Sequence, residues 1–249
     1  METLVRAVGA LSCLTLCLVA LMIVAPLFAP PDEQNEKGGD KDNPVLAMEF
    51  MGNEAQVSDF LGARDADGDS VMRRKIRRGL AWDNLFIATY WLLFIGLSLL
   101  LSRRAWPGRA ALWLAVFAAL CGTGAAISDT VENARTLVLL DAAKVTKPLH
   151  QTLAMASSEK WLLIGLATLA LSFVFLWTGD AKSRLVGGLL FLFYLAVGAL
   201  MILGVLAGSK SLITSAFLLY LCGLIGVAGL FTFGARWVAE RLRRGRGGV

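Results

Sequence analysis

The stretch LAWDNLFIATYWLLFIGLSLLL, residues 80–101, decides the class of this protein. It is almost entirely apolar and long enough to cross the hydrocarbon of a bilayer, which takes about 20 residues of helix. Asp83 lies near its beginning, and an ionisable side chain is costly to bury in lipid. The stretch therefore predicts a membrane-spanning helix that carries a polar group near one end.

The composition of the whole chain extends this prediction to most of its length. The 249 residues are 57% hydrophobic, whereas soluble domains are close to half apolar and carry more charge. We expect an all-α polytopic membrane helix bundle of about six transmembrane helices, forming a single domain over 1–249. The expected spans are Ala7–Phe28, Leu80–Leu101, Ala110–Ser128, Trp161–Trp177, Leu185–Ala207 and Leu212–Trp237.

The first apolar stretch could be a signal peptide or a retained anchor, and two features favour the anchor. It is longer than the apolar core of a signal peptide, which is about 7 to 15 residues. Pro30 and Pro31 also follow it where a cleavage site would lie. We expect the anchor to stay in the protein.

The distribution of basic residues predicts that both termini are cytoplasmic, because Lys and Arg in short loops tend to stay inside. If the number of spans is even, one side of the membrane holds Arg103, Arg104, Lys182 and the basic tail 238–249. The run 73–78 lies on the opposite side, but within a long loop, and long loops cross more freely. Tryptophans favour the interface, so Trp82 and Trp161 should mark the outer boundary, with Trp91 packed in the core.

The loop 29–79 is the only sizeable extramembrane segment, and its second part has helical character. Apolar and polar residues alternate at helical spacing from Pro44 to Gly62, and Asn53 is a candidate N-cap. These short helices could lie on the membrane surface or cover the ends of the transmembrane helices. We expect them to cover the helix ends, because their polar face is acidic and would be repelled by anionic headgroups.

No pattern in the chain predicts a cofactor, a metal or a nucleic-acid partner. Asp65 to Ser70 begins like a calcium loop, but the glycine and the bidentate glutamate of that loop are replaced by Ser70 and Ile76. A solvated acidic turn is the expected alternative. His150 is the single histidine, and the four cysteines lie in apolar spans. A metal centre built from several histidines is therefore excluded.

A cluster of polar residues at the outer ends of the second, third and fourth spans is the best candidate for a site. Asp129, Glu132 and Asn133 are spaced i, i+3 and i+4, so they share one face of a helix. Asp83 and Tyr90 are seven residues apart, so they share a face of the preceding span, with Tyr90 deeper. If the helices are adjacent, these groups meet around a common polar site.

Lys160 supplies the cation of this predicted cluster. We expect it to open the fourth helix, capped by Ser157 or Ser158. Arg135 is a second cation that could face the carboxylates. These groups could form an ion-pair network that only locks the helix ends together, or a binding site.

Three features of the sequence carry a resemblance: the run Asp83 to Tyr90, the Asp129-Thr-Val-Glu-Asn133 motif and Lys160. Through them the chain resembles a widespread group of small bacterial integral membrane proteins of uncharacterised function. Ala47 to Gly52 is similar to the segment that precedes the helices there. The resemblance covers roughly 46–177 and leaves the last two helices unmatched. It implies a bacterial origin and a polar signature at Asp83, Glu132, Asn133 and Lys160, and it supplies no activity. We expect the protein to lie in the bacterial inner membrane.

The sequence favours a non-enzymatic membrane protein whose polar cluster binds a small polar ligand, a lipid headgroup or a membrane partner protein. The bilayer itself is the other expected partner. A proton- or cation-coupled transporter is the alternative, although the internal repeats and broken helices typical of transporters are not evident. An intramembrane enzyme using paired carboxylates is a weaker alternative, because no nucleophile motif accompanies them.

Overall fold

In the computed structural model, every described segment with regular secondary structure is helical. The described residues are 48, 51–63, 69–104, 109–175, 181–209, 211–220 and 223, and no strand occurs among them. Six helices are assigned within this part of the chain. They are α1 (Glu54–Leu61), α2 (Val71–Arg104), α3 (Arg109–Asp141), α4 (Lys147–Phe175), α5 (Ala181–Leu206) and α6 (Ser211–Tyr220).

Four of these helices are long and apolar enough to cross a membrane. The candidate spans are Val71–Leu100, Arg109–Asp141, Lys147–Val174 and Gly188–Leu206. The prediction of an all-α membrane protein is therefore confirmed in this coarser form. The predicted first span, most of the sixth and the basic tail 238–249 lie outside the described residues, as does the question of a signal peptide.

The helices α2, α3 and α4 are longer than the spans predicted from hydropathy. Helix α2 begins at Val71, within the predicted loop 29–79, and α3 continues beyond Ser128 to Asp141. Helix α4 begins at Lys147 instead of Trp161. Hydropathy identifies only the part of a helix that suits lipid, whereas Arg, Lys, Glu and Gln are also good helix formers in water.

Local signals explain where the two extensions start. The backbone N–H of Arg73 donates to the hydroxyl of Ser70 at 3.2 Å, so Ser70 caps the beginning of α2. Pro148 lies in the first turn of α4, where a missing N–H costs no helical hydrogen bond. Both helices therefore begin at sequence features that hydropathy does not detect.

Internal contacts divide the described chain into two compact units. We call the unit built from residues 48, 51–63, 69–88 and 126–160 the polar unit. We call the unit built from residues 89–104, 109–125, 161–175, 181–209, 211–220 and 223 the tyrosine unit.

A hydrophobic core holds α1 against the ends of three helices in the polar unit. Val57 and Leu61, one turn apart on α1, are completely buried. They cluster with apolar residues of α2, α3 and α4, including Ile76, Leu139 and Leu153. Full burial of such side chains stabilises a fold by about 1.5–3 kcal/mol each. The expectation that this segment covers helix ends is confirmed.

Polar contacts fix both ends of α1. Asn53 is its N-cap, as predicted, because the Asn53 side chain accepts a hydrogen bond from the backbone N–H of Gln56 at 2.9 Å. The helix ends at Gly62, whose positive φ of 70° is readily adopted only by glycine. The ring of His150 on α4 makes a 2.8 Å hydrogen bond with the carbonyl of Met51, just before α1.

Close backbone approach and aromatic contacts hold the tyrosine unit together. A Cβ on Gly198 of α5 would lie 2.9 Å from the carbonyl oxygen of Gly165 on α4. All three tyrosines of the chain belong to one ring cluster, in which Phe94 meets Tyr90 edge-on and stacks against Tyr220, while Tyr194 meets Tyr220 edge-on. Small residues and rings of this kind suit helix packing in lipid.

The tryptophans follow the sequence prediction only in part. Trp82 is 45% exposed, as expected of a residue at an interface. Trp161 is buried and packs edge-on against Phe217 at 5.5 Å, so protein contacts hold its ring, and its place at the outer boundary stays a prediction. Trp91 is partly exposed and donates from its indole nitrogen to the hydroxyl of Thr123 at 3.1 Å, so the expected core position is wrong.

Candidate functional site

Lys160 of α4 pairs with two carboxylates of α3 inside the polar unit. Its ammonium nitrogen lies 3.1 Å from Oδ1 of Asp129 and 2.8 Å from Oε2 of Glu132. The two carboxylates are three residues apart, which places them on neighbouring turns of one helix face. All three side chains are almost completely buried, with exposures of 6% for Lys160, 5% for Asp129 and 2% for Glu132.

A hydrogen-bonded group adjoins these ion pairs in the sequence of α3. The side-chain nitrogen of Asn133 donates to Oδ2 of Asp83 at 2.7 Å and to Oδ1 of Asn84 at 3.1 Å. Asn133 is buried, Asp83 is half-buried and Asn84 is exposed. This group therefore joins α3 to α2 and extends from the buried interior to the surface of the unit.

The position of Lys160 corrects the sequence prediction. Lys160 does not open a helix, because α4 begins at Lys147 and passes through Lys160 without interruption. Ser158 is not a cap either, since its hydroxyl donates to the carbonyl of Ala154 at 2.8 Å within the helix. The polar cluster thus lies inside three continuous helices instead of at their ends.

Tyr90 is the predicted site residue whose described contact is aromatic. It belongs to the tyrosine unit, where it is buried and its ring meets that of Phe94 edge-on at a centroid distance of 6.4 Å. The structure pairs Asp129 and Glu132 with Lys160, and Asp83 with Asn133. The inclusion of Tyr90 in the site stays a prediction.

Arg135 also has a different role from the one expected. Its guanidinium donates to the backbone carbonyl of Thr152 on α4 and makes no ion pair with a described residue. It therefore joins α3 to α4 through a backbone group. Lys160 is the cation that meets the carboxylates of Asp129 and Glu132.

Sequence reasoning missed the structural part played by Arg73. It lies in the basic run 73–78, which in the sequence bears only on topology. In the structure Arg73 is buried and donates to the carbonyl of Leu140 near the end of α3. The last carbonyls of a helix lack partners within that helix, and Arg73 satisfies one of them. Arg77 nearby bridges Asp69 at 3.1 Å and Asp141 at 2.5 Å.

Within the described part of the chain, no group of three or more His, Cys, Asp or Glu residues is arranged to hold a metal ion. Two residues of the acidic turn that resembles a calcium loop have structural contacts. Asp69 pairs with Arg77, and the hydroxyl of Ser70 donates to the carbonyl of Leu61. The remainder of that turn, residues 65–68, lies outside the described residues.

The burial of the ion pairs determines what they can do. Removing an ion from water costs several kcal/mol, and mutual attraction recovers this only when the geometry is good. A buried ion pair is therefore weak evidence for a stabilising role. With all three groups ionised, Asp129, Glu132 and Lys160 carry one net negative charge. The set can act on a cation, on a proton or on a ligand that carries both signs of charge.

No protein-family model, curated protein or solved structure matches this chain. The resemblance to a bacterial membrane family through Asp83, Glu132, Asn133 and Lys160 therefore stays a prediction.

Proposed function

We propose that this protein is a non-enzymatic bacterial inner-membrane protein that binds a small polar ligand or a lipid headgroup at its polar cluster. The observation that supports this is the burial of Lys160 against Asp129 and Glu132 between apolar helices. Such a cluster is a poor device for stability alone, because its desolvation offsets its attraction. Ionisable groups kept inside a membrane protein are more often functional.

A zwitterionic headgroup is the ligand that best complements this cluster. The two carboxylates of Asp129 and Glu132 would attract an ammonium group, and Lys160 would attract a phosphate. The exposed Asn84, which accepts a hydrogen bond from the buried Asn133, could make the first contact with such a ligand. A membrane partner protein bearing a cationic side chain could use the same carboxylates.

Native mass spectrometry of the purified protein with phosphatidylethanolamine tests this function. The Glu132→Gln variant should bind less of the lipid than the wild type, while Glu159→Gln should bind as much. Glu159 is the matched control, because it is adjacent to Lys160 in α4 but exposed. Equal binding by all three proteins would contradict the proposal. Competition by soluble glycerophosphoethanolamine would identify a small polar ligand instead of a bilayer lipid.

Proton- or cation-coupled transport is the second candidate, and the pairing of two carboxylates with one ammonium favours it. Buried carboxylates of this kind could take up a proton or bind a cation that is carried across the membrane. Reconstituted vesicles with an imposed pH gradient test this alternative. Flux that the wild type supports and Glu132→Gln abolishes would favour a transporter over a binding protein, and absence of flux would remove transport.

The proposed arrangement has six spans with both termini cytoplasmic. The basic residues of the short loops and the tail 238–249 support this orientation. It places the exposed loop residue Ala143, between α3 and α4, on the outer side. A cysteine at position 143 should therefore react with a membrane-impermeant maleimide added to intact cells. If this cysteine reacts only after the cells are opened, the orientation is the opposite of the one proposed.

A further inference from the structure

One face of α3 stays apolar and exposed along the whole polar unit. Ile127, Val131, Ala134 and Val138 are spaced by four, three and four residues, so they form a single stripe, and all are exposed. Ile127 is 60% exposed and Val138 is 58% exposed. We call these residues the α3 stripe. Leu137, beside Val138, is exposed as well.

The neighbouring helices expose polar residues at the level where the stripe is still apolar. Asn133 of α3 donates a hydrogen bond to the exposed Asn84 of α2, so these two residues lie at the same height along their helices. Lys160 pairs with Asp129 and Glu132, and the adjacent Ser158 and Glu159 of α4 are exposed. Both neighbours therefore expose polar groups near the middle of the stripe.

The α3 stripe continues well past this level. Val138 lies five residues beyond Asn133, which is roughly 7–8 Å along the axis of an α-helix. In water, Val131, Leu137 and Val138 would form an exposed apolar patch of the kind that usually marks an interaction surface. An occupant of apolar chemistry is needed at this end of the stripe.

We infer that the hydrocarbon of the bilayer covers the α3 stripe as far as Val138. Continuity identifies the occupant, because the stripe extends a face of α3 that already exposes Trp113, Phe117 and Leu120 at the same spacing along a candidate span. The polar residues that flank this face before Asp141 have backbone partners, because Thr130 donates to the carbonyl of Ala126 and Arg135 to that of Thr152. The lipid boundary on α3 thus lies at or beyond Val138.

This boundary places the ionic cluster at hydrocarbon depth on the α3 side. Glu132 and Asp129 lie along α3 before Val138, on the face of the helix opposite to the stripe, so α3 itself separates them from these acyl chains. A ligand that reaches this depth is more readily a lipid than a soluble molecule. This last step rests on the proposed binding function, whereas the position of the boundary does not.

Spin labels at single cysteines in a cysteine-free background measure the depth of the stripe in phosphatidylcholine–phosphatidylglycerol vesicles. Labels at positions 138 and 134 should collide more with oxygen than with a water-soluble nickel chelate, as at the lipid-facing control position 120. A label at Ala143 should show the opposite preference. Two positions on the stripe keep the test informative if one variant misfolds.

Two results would overturn the inference. A preference for the nickel chelate at positions 134 and 138 would mean that the stripe faces water. Low collision with both reagents would mean that a protein covers it. Depth and lipid binding are measured separately, so a stripe in lipid with no bound phosphatidylethanolamine would refute the binding proposal alone.

Discussion

The helices α2 and α3 meet in both units, but the contacts that most constrain each unit differ in kind. In the tyrosine unit it is close packing, because a Cβ on Gly122 would lie 2.7 Å from the Cβ of Phe94. In the polar unit, beside the apolar core of α1, it is the hydrogen bond from Asn133 to Asp83. The first kind of contact depends on shape and the second on matched donors, acceptors and charges.

This difference predicts how each unit responds to substitution. Apolar contacts between helices in lipid stabilise the protein through close packing. An added atom therefore lowers the free energy of unfolding more where less space is left for it. A buried polar contact is costly when one partner is removed and nearly neutral when all partners are replaced. The polar unit should therefore show strong coupling between substitutions, and the tyrosine unit should not.

Lys160→Met should have the largest effect on stability. It removes the ammonium and leaves Asp129 and Glu132 buried side by side, which should lower the free energy of unfolding by about 3–5 kcal/mol. Unfolding in mixed detergent micelles measures this change. The exposed neighbour provides the control, since Glu159→Gln should change stability by less than about 0.5 kcal/mol. A loss under about 1 kcal/mol for Lys160→Met would mean that the cluster is more hydrated than its burial indicates.

Gly198→Ala should have the next largest effect and tests the tyrosine unit. The added Cβ would meet the carbonyl oxygen of Gly165 at 2.9 Å and the backbone nitrogen of Leu169 at 3.0 Å. Overpacking of this kind costs about 1–3 kcal/mol. Gly188→Ala on the same helix is the control, because no atom lies within 4 Å of its new Cβ. Equal stability of the two variants would show that α4 and α5 do not approach closely.

Asp141→Asn should have the smallest effect. Asp141 pairs with Arg77 at 2.5 Å, but its side chain is 68% exposed. Exposed ion pairs contribute about 0–1 kcal/mol and are weakened by salt. The loss in unfolding free energy should therefore be small and should shrink as salt is added. A loss comparable with that of Lys160→Met would show that polar contacts stabilise this unit whether they are buried or not.

The sequence was informative where one helix determines the outcome. The spacing of Asp129 and Glu132 placed both on one face of α3, and the structure pairs them with the same lysine. The side chain and position of Asn53 predicted an N-cap, which is a local property of the backbone. Hydropathy was sufficient to identify a helical membrane protein.

The sequence was insufficient where the outcome depends on contacts between helices. Lys160 was placed at a helix start because the residues before it are too polar for lipid, although they are helical. Arg73 looked like a topology signal, but its bond to the carbonyl of Leu140 depends on how α2 lies against α3.

The combined variant Asp129→Leu, Glu132→Leu, Lys160→Met tests the central claim that the buried cluster serves binding and not stability. Its free energy of unfolding should equal or exceed that of the wild type, because replacing a buried ion-pair set with apolar residues is often neutral or stabilising by about 1–4 kcal/mol. Its binding of phosphatidylethanolamine should be lost. A combined variant that is as unstable as Lys160→Met alone would contradict the account and assign the cluster to holding α3 and α4 together.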